Sequence, residues 1–157
     1  MSITKKHPVM LKHFVSKVLL FSFIFIGIAV VAKAQTDPIE KVWYNQEKTA
    51  KIQVYKAKDG RFYGKMVWLK EPLENGKPKV DKENPDEKKR NTPLIGLILL
   101  RGLEKDGDNE YDNGKIYDPK NGKTYSCKIT HKGNTLDLRG FVGISLIGRT
   151  STWTLAD

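Results

Sequence analysis

Apolar and polar residues alternate along much of the chain beyond residue 41. The clearest example is the stretch 123–130, where Tyr125, Cys127 and Ile129 alternate with polar or charged residues. A period of two is typical of a half-buried strand with one face in a core. Related patterns predict further strands at residues 42–44, 50–57, 61–69, 97–103, 114–117, 135–142 and 149–155.

Turn-forming residues separate these predicted strands. Pro119 presets the backbone angle φ of a turn, and Asn121 and Gly122 tolerate a positive φ, so residues 118–122 predict a hairpin. Asp59-Gly60 and Gly133-Asn134 predict two more. The predicted fold class is all-β, a small antiparallel up-and-down meander of about seven to nine strands that closes into a β-barrel, because closure removes free strand edges.

A long polar loop at residues 70–92 interrupts the meander. It contains Pro72, Pro78, Pro85 and most of the local charge. A connection of this length is typically a lid, a binding loop or a disordered segment, and the sequence leaves these alternatives open. In the apolar stretch that follows, Gly96 and Gly102 disfavour a helix, so we predict a turn at 93–96 and a buried strand at 97–103.

The first residues have the features of a secretion signal. Lysines precede an apolar run at residues 18–32, and Ala32-Lys33-Ala34 has the small-x-small form of a cleavage site. We therefore predict a signal peptide at 1–34, cleaved after Ala34, and a single barrel domain at 35–157 in the periplasm or outside the cell. The alternative is an uncleaved membrane anchor, although the run is shorter than the ~20 residues that a spanning helix needs. Membrane contact is predicted only through this segment before cleavage.

Cleavage changes the charge of the chain. The full sequence carries +10, but five of its 28 basic residues and none of its 18 acidic residues precede the predicted site, which leaves 23 against 18, about +5. That balance indicates ordinary solubility and no nucleic-acid partner. The run Lys88-Lys89-Arg90 is read as a solvated loop, with attraction to an anionic envelope surface as the alternative.

Few groups for catalysis or metal binding remain in the predicted barrel. Cys127 is the only cysteine, and its strand position predicts a buried thiol that cannot form an intramolecular disulfide. His131 is the only histidine beyond the signal, so no metal and no cofactor are predicted. The acidic stretch 106–112 is read as a turn, with a calcium loop as the less favoured reading.

Aromatic and arginine side chains are the remaining candidates for binding. The aromatic residues either fill a solid core or line a cavity for an apolar or amphipathic molecule, with arginines holding its head group. The predicted ligand-binding residues are Trp43, Trp68, Arg90, Tyr117, Asp118, Tyr125, Arg139, Arg149 and Trp153.

Several motifs together mark a family. They are Lys115-Ile116-Tyr117-Asp118-Pro119, Gly122-Lys123-Thr124-Tyr125, Trp43, Asn84-Pro85, the group Arg90, Pro93 and Gly96, and the ending at 149–153. The set resembles the small exported bacterial proteins grouped as domain of unknown function 2147, a resemblance that implies architecture and localisation but no reaction. More remotely, the chain is similar to lipocalins, in which a first-strand Trp and a late Arg close the barrel base. Trp43 and Arg149 are the matching pair, although Lys41 stands where lipocalins have Gly.

Two functions follow as hypotheses. The first is a non-enzymatic exported barrel that binds a small apolar or amphipathic molecule or acts as an envelope interaction module. The alternative is a carboxylate-dependent hydrolase of envelope or extracellular carbohydrate, with 70–92 as a lid. Its candidate carboxylates are Asp81, Asp118 and Asp137.

Overall fold

A computed structural model describes residues 36–156. Its ten strands are β1 (Val42–Tyr44), β2 (Ala50–Lys56), β3 (Phe62–Leu69), β4 (Leu73–Glu74), β5 (Lys77–Pro78), β6 (Ile98–Lys105), β7 (Glu110–Asp118), β8 (Lys123–His131), β9 (Thr135–Phe141) and β10 (Gly148–Leu155). The predicted signal peptide lies outside the described residues. Within them, no helix is long and apolar enough to cross a bilayer.

Eight strands form a closed antiparallel barrel in the order β1-β10-β9-β8-β7-β6-β3-β2. The predicted all-β meander and its closure are therefore confirmed. The first and last barrel strands meet through only two residue pairs, Trp43 with Leu155 and Tyr44 with Thr154. One further hydrogen bond at this seam runs from the Ala156 amide to the Val42 carbonyl, at 2.9 Å.

Inward-facing side chains of the barrel strands form the core. Trp43, Phe62, Leu100, Tyr111 and Ile129 are among its fully buried side chains. Such filling by side chains is usual for barrels of eight strands. The predicted burial of Cys127 is confirmed, and burial raises the pKa of its thiol to about 12.

One end of the barrel, here called the basal end, is sealed by the first described residues. Ile39 is fully buried, and the indole Nε1 of Trp43 donates to its carbonyl at 2.9 Å. The Asp37 carboxylate accepts hydrogen bonds from the Tyr111 hydroxyl and from Lys105 Nζ, the latter at 2.7 Å. Burial alone would raise the pKa of Asp37, but these donors hold it below its ordinary value.

The other end, the upper end, carries the loops 45–49, 70–97, 119–122 and 142–147. Arg149 lies here at the start of β10, whereas Trp43 pairs with Leu155 near the basal end. At about 3.3 Å per residue, the six residues from 149 to 155 span roughly 20 Å. The predicted Trp43–Arg149 pair is therefore wrong. Val142, predicted on a strand, lies in the loop after β9 and is exposed.

The segment 70–97, here called the wall loop, is held by regular hydrogen bonds. It contains the β4–β5 hairpin and one 3-10 turn, Glu87–Lys89, whose first amides are capped by Asp86. Val80 and Pro93 form a bridge, and the Asp81 amide donates to the Thr92 carbonyl at 2.9 Å. The wall loop thus leaves β3, folds on itself and returns to β6.

Candidate functional site

The register of β6, β7 and β8 determines which side chains leave the barrel. Leu100, Ile116 and Tyr125 lie opposite one another on the inward face. The neighbouring positions in these strands must point outward, since successive side chains alternate. Arg101, Lys115, Tyr117 and Thr124 therefore lie on the outer wall, together with Leu99.

A groove of about 490 Å³ lies between this outer wall and the wall loop. We call it the wall groove. It is lined by Asn84, Pro85, Lys89 and Thr92 of the wall loop, by Leu97, Leu99 and Arg101 of the β6 region, and by Lys115, Tyr117 and Thr124. Its lining is mostly apolar, and its volume is that of small-molecule sites in general, about 300–1,000 Å³.

A buried carboxylate fastens the wall loop to the barrel. The Asp81 side chain is fully buried and is the one charged side chain in the core of the described residues. It accepts a hydrogen bond from the Tyr117 hydroxyl at 2.7 Å and one from Asn84 Nδ2 at 2.6 Å. Burial and the bond to Asp81 raise the pKa of Tyr117 to about 12. This phenol therefore stays protonated and keeps donating at physiological pH.

The turn between β7 and β8 supplies a second attachment. Gly122 has φ +68°, and a Cβ atom there would stand 1.9 Å from the Glu83 carbonyl oxygen. Only glycine allows the wall loop to approach the hairpin this closely. The hairpin predicted from Pro119, Asn121 and Gly122 is therefore also the support for one side of the groove.

Two cations on neighbouring strands line the wall groove. Arg101 and Lys115 are direct cross-strand partners on β6 and β7. The Arg101 guanidinium donates to the Ile98 carbonyl at 3.2 and 3.3 Å, and Lys115 Nζ donates to the Ser126 hydroxyl at 2.8 Å. Within residues 36–156, neither forms a salt bridge. No acidic side chain of the described residues therefore lies within 4.0 Å of either cation.

The predicted aromatic site residues lie in three different environments. Trp43 and Trp153 are buried in the core. Trp68 lies on the outer surface, edge-on to Tyr44 and under the Lys51 ammonium. Tyr125 is half-buried at the upper end, where its hydroxyl accepts from Asn121 Nδ2 at 3.1 Å. Of the predicted aromatics, only Tyr117 lines the wall groove.

The predicted polar site residues also lie at different points of the molecule. Arg90 donates to the Asn84 carbonyl at 2.9 Å and so braces a residue of the groove rim. Asp118 accepts from the Lys120 amide at 2.9 Å inside its turn. Arg139 holds the loop between β9 and β10, and Arg149 is exposed at the upper end of the barrel. Sequence reasoning missed Leu97, Leu99, Arg101 and Lys115, because only the strand register places them on one outer face.

The three candidate carboxylates of the hydrolase hypothesis do not meet. Asp81 is engaged by Tyr117 and Asn84, and Asp118 caps its turn. Asp137 pairs with Lys132 at 2.6 Å near the basal end. Within the described residues, no group of three or more His, Cys, Asp or Glu side chains is arranged to hold a metal ion.

Comparison with known proteins places this barrel in a family. The sequence profile of the bacterial family described as "Uncharacterized protein conserved in bacteria (DUF2147)" matches residues 42–155, from the first barrel strand to the last. The chain belongs to the DUF2147 family. A search of curated protein sequences found no match.

A solved structure shares the fold of this DUF2147 protein. It is described as "Protein HP1028 from the human pathogen Helicobacter pylori belongs to the lipocalin family". The two chains are 26% identical and superpose with a TM-score of 0.66, over 76% of this chain and 83% of the other. The lipocalin-like character of the barrel, anticipated from the sequence, is therefore confirmed.

Proposed function

We propose that this protein is an exported, non-enzymatic binding protein that holds a small amphipathic anion in the wall groove. A lipocalin-like barrel is consistent with binding a small hydrophobic ligand. Here the barrel interior is occupied by residues such as Trp43, Tyr111 and Trp153. The groove on the outer wall provides about 490 Å³ of space outside this core.

The pairing of Arg101 with Lys115 is the observation that carries this proposal. Like charges directly opposite each other on neighbouring strands destabilise a sheet. No acidic side chain among the described residues neutralises them by a salt bridge. A carboxylate or phosphate bound between them would remove the repulsion and accept charge-assisted hydrogen bonds from both.

The rest of the groove suits an apolar ligand body. Leu97, Leu99 and the ring of Tyr117 lie beside the two cations, with Pro85 on the opposite side. A ligand with an anionic head and a short hydrocarbon tail therefore matches both parts of the groove. Because Asp81 and Gly122 hold the wall loop in place, the groove is formed before a ligand arrives, which lowers the entropy cost of binding.

Export is part of the proposal and rests on the N-terminal sequence. The lysines, the apolar run and Ala32-Lys33-Ala34 support cleavage after Ala34. The barrel seal begins soon afterwards, at Asp37 and Ile39, so cleavage there would leave the whole fold in the released chain. Intact mass of the envelope or secreted form should correspond to a chain starting at Gln35, and an unprocessed mass would count against export.

Calorimetry with dodecanoate tests the groove. The double variant Arg101→Gln/Lys115→Gln should bind this fatty-acid anion at least about tenfold more weakly, because two charge-assisted contacts are lost. The matched control is Arg149→Gln, an exposed arginine at the upper end of the barrel. We expect it to bind dodecanoate as the native protein does.

Two results would overturn this assignment. Equal affinities of the native protein and the double variant would show that the cation pair does not hold the head group. A loss confined to Arg149→Gln would move the ligand to the upper mouth of the barrel. Dodecanol, which has the same tail without the charge, should bind more weakly than dodecanoate to the native protein and equally weakly to both forms.

A further inference from the structure

The loop between β9 and β10 leaves four large apolar side chains in solvent. Val142, Ile144, Leu146 and Ile147 are between 60% and 84% exposed, although they lie within six consecutive residues. Single exposed apolar residues are common, but a contiguous group of this kind marks a surface that contacts something else. We call residues 142–147 the apical loop.

Hydrogen bonds from Arg139 hold the backbone of the apical loop. The Arg139 guanidinium donates to the carbonyl oxygens of Ser145 and Leu146 at 2.6 and 3.0 Å, and to the Thr150 hydroxyl at 3.1 Å. The Ile147 amide donates to the Ile144 carbonyl at 3.2 Å, which closes a turn. The polar backbone thus bonds toward Arg139, while the apolar side chains remain exposed.

Three cations lie in or near the segments that flank the apical loop. The strand order places the loop 45–49 on one side of it and the loop 119–122 on the other. These carry Lys48 and Lys120, and Arg149 is the second residue after the apical loop. None of the three forms a salt bridge within residues 36–156. Two acidic residues also belong to these surroundings: Glu47 accepts from the Asn45 side-chain amide at 3.0 Å, and Asp118 accepts from the Lys120 backbone amide at 2.9 Å.

We propose that the apical loop inserts into the interfacial region of a bilayer that contains anionic lipids. The apolar side chains enter the acyl boundary, and Lys48, Lys120 and Arg149 lie against the lipid phosphates. A second copy of this chain fits less well, because symmetric docking would bring the same cations together. The predicted membrane contact was confined to the N-terminal segment, and this loop adds a separate contact on the folded barrel.

A fluorescent label in the loop tests the proposal. The protein is the chain 35–157, which contains every barrel strand and the complete core cluster. Cys127 is buried, so a Leu146→Cys variant takes a polarity-sensitive label at the new thiol. With vesicles of phosphatidylcholine and phosphatidylglycerol, its emission should shift to the blue. The matched control is Leu73→Cys, 54% exposed on the β4–β5 hairpin, where no shift is expected.

Co-sedimentation with the same vesicles measures the affinity. The variant Leu146→Ser/Ile147→Ser should partition at least about tenfold more weakly, because two apolar side chains no longer leave water. Added salt should weaken binding of the native chain, and vesicles of phosphatidylcholine alone should bind it less. Equal binding of native chain and variant, or equal shifts at 146 and 73, would overturn the proposal. So would a blue shift that grows with protein concentration without vesicles, since a second copy would then cover the loop.

Discussion

Asp81 shows how a single buried charge can organise a surface site. A carboxylate without water is costly unless hydrogen bonds replace its hydration. Tyr117 and Asn84 supply those bonds, and every buried side-chain nitrogen or oxygen of the described residues has a partner. Because Tyr117 belongs to the barrel wall and Asp81 to the wall loop, satisfying the charge also forms the groove.

Removing the Tyr117 hydroxyl should therefore destabilise the fold. We expect Tyr117→Phe to lower the free energy of unfolding by about 1.5–3 kcal/mol, the usual worth of a hydrogen bond to a charged group. Urea denaturation measures it. The matched control is Tyr63→Phe, whose hydroxyl bonds to the exposed Asp59 at 2.7 Å and whose loss should change stability little. Similar losses in the two variants would contradict the role given to Asp81.

The β7–β8 hairpin combines two tasks at the scale of a structural element. Its turn reverses the chain, and its glycine accepts the backbone of the wall loop at Glu83. The turn between β8 and β9 reverses the chain in the same way but has no comparable contact at its glycine. Gly133 has the same φ of +68°, but no atom lies within 4 Å of the position that its Cβ would occupy.

Alanine substitutions at Gly122 and Gly133 should distinguish reversal of the chain from support of the wall loop. Gly133→Ala should lower the free energy of unfolding by about 1–2 kcal/mol, because alanine disfavours a left-handed backbone. Gly122→Ala should lower it by roughly 1–3 kcal/mol more, because the new methyl group also displaces the Glu83 carbonyl. Urea denaturation gives the difference, and limited proteolysis should show faster cutting within 70–97 for Gly122→Ala alone. Equal stability of the two variants would mean that the wall loop does not rest on this turn.

Most elements of the barrel could be predicted from local sequence patterns. The alternation of Tyr125, Cys127 and Ile129 predicts β8 because strand burial repeats every two residues. The conformation of the wall loop could not be predicted, because it depends on contacts between residues far apart, such as Asp81 with Tyr117. Neither residue carries a local signal of that contact.

The candidate site was predictable only in part for a related reason. Tyr117 was predicted from its place beside a hairpin turn. Arg101 and Lys115 become a pair only once β6 and β7 are in register. That register depends on pairing between two strands and carries no signal within either stretch of sequence. Trp43 and Trp153 were predicted as ligand-binding residues but belong to the core. From the sequence alone, an inward-facing aromatic side chain that packs in the core looks the same as one that lines a cavity.

At the scale of the whole molecule, the barrel has two ends with different roles. The basal end is closed by Ile39 and by the network of Asp37, Tyr111 and Lys105. The upper end carries the wall loop and the apical loop. The proposed ligand site and the proposed membrane contact therefore both depend on loops at the upper end, which the closed barrel supports.

The short seam between β1 and β10 bears on how this barrel is closed. β10 is eight residues long and β1 only three, so most of β10 has no backbone partner on that side. The amide of Thr152 instead donates to the side chain of Gln46 at 3.2 Å. With so few backbone bonds across the join, burial of side chains such as Trp43 on β1 and Trp153 on β10 contributes to the free energy of closure. Barrel closure in this protein therefore depends on side-chain packing as well as on strand pairing, and Trp43 and Trp153, predicted to bind a ligand, lie in the core on the two strands that meet at the seam.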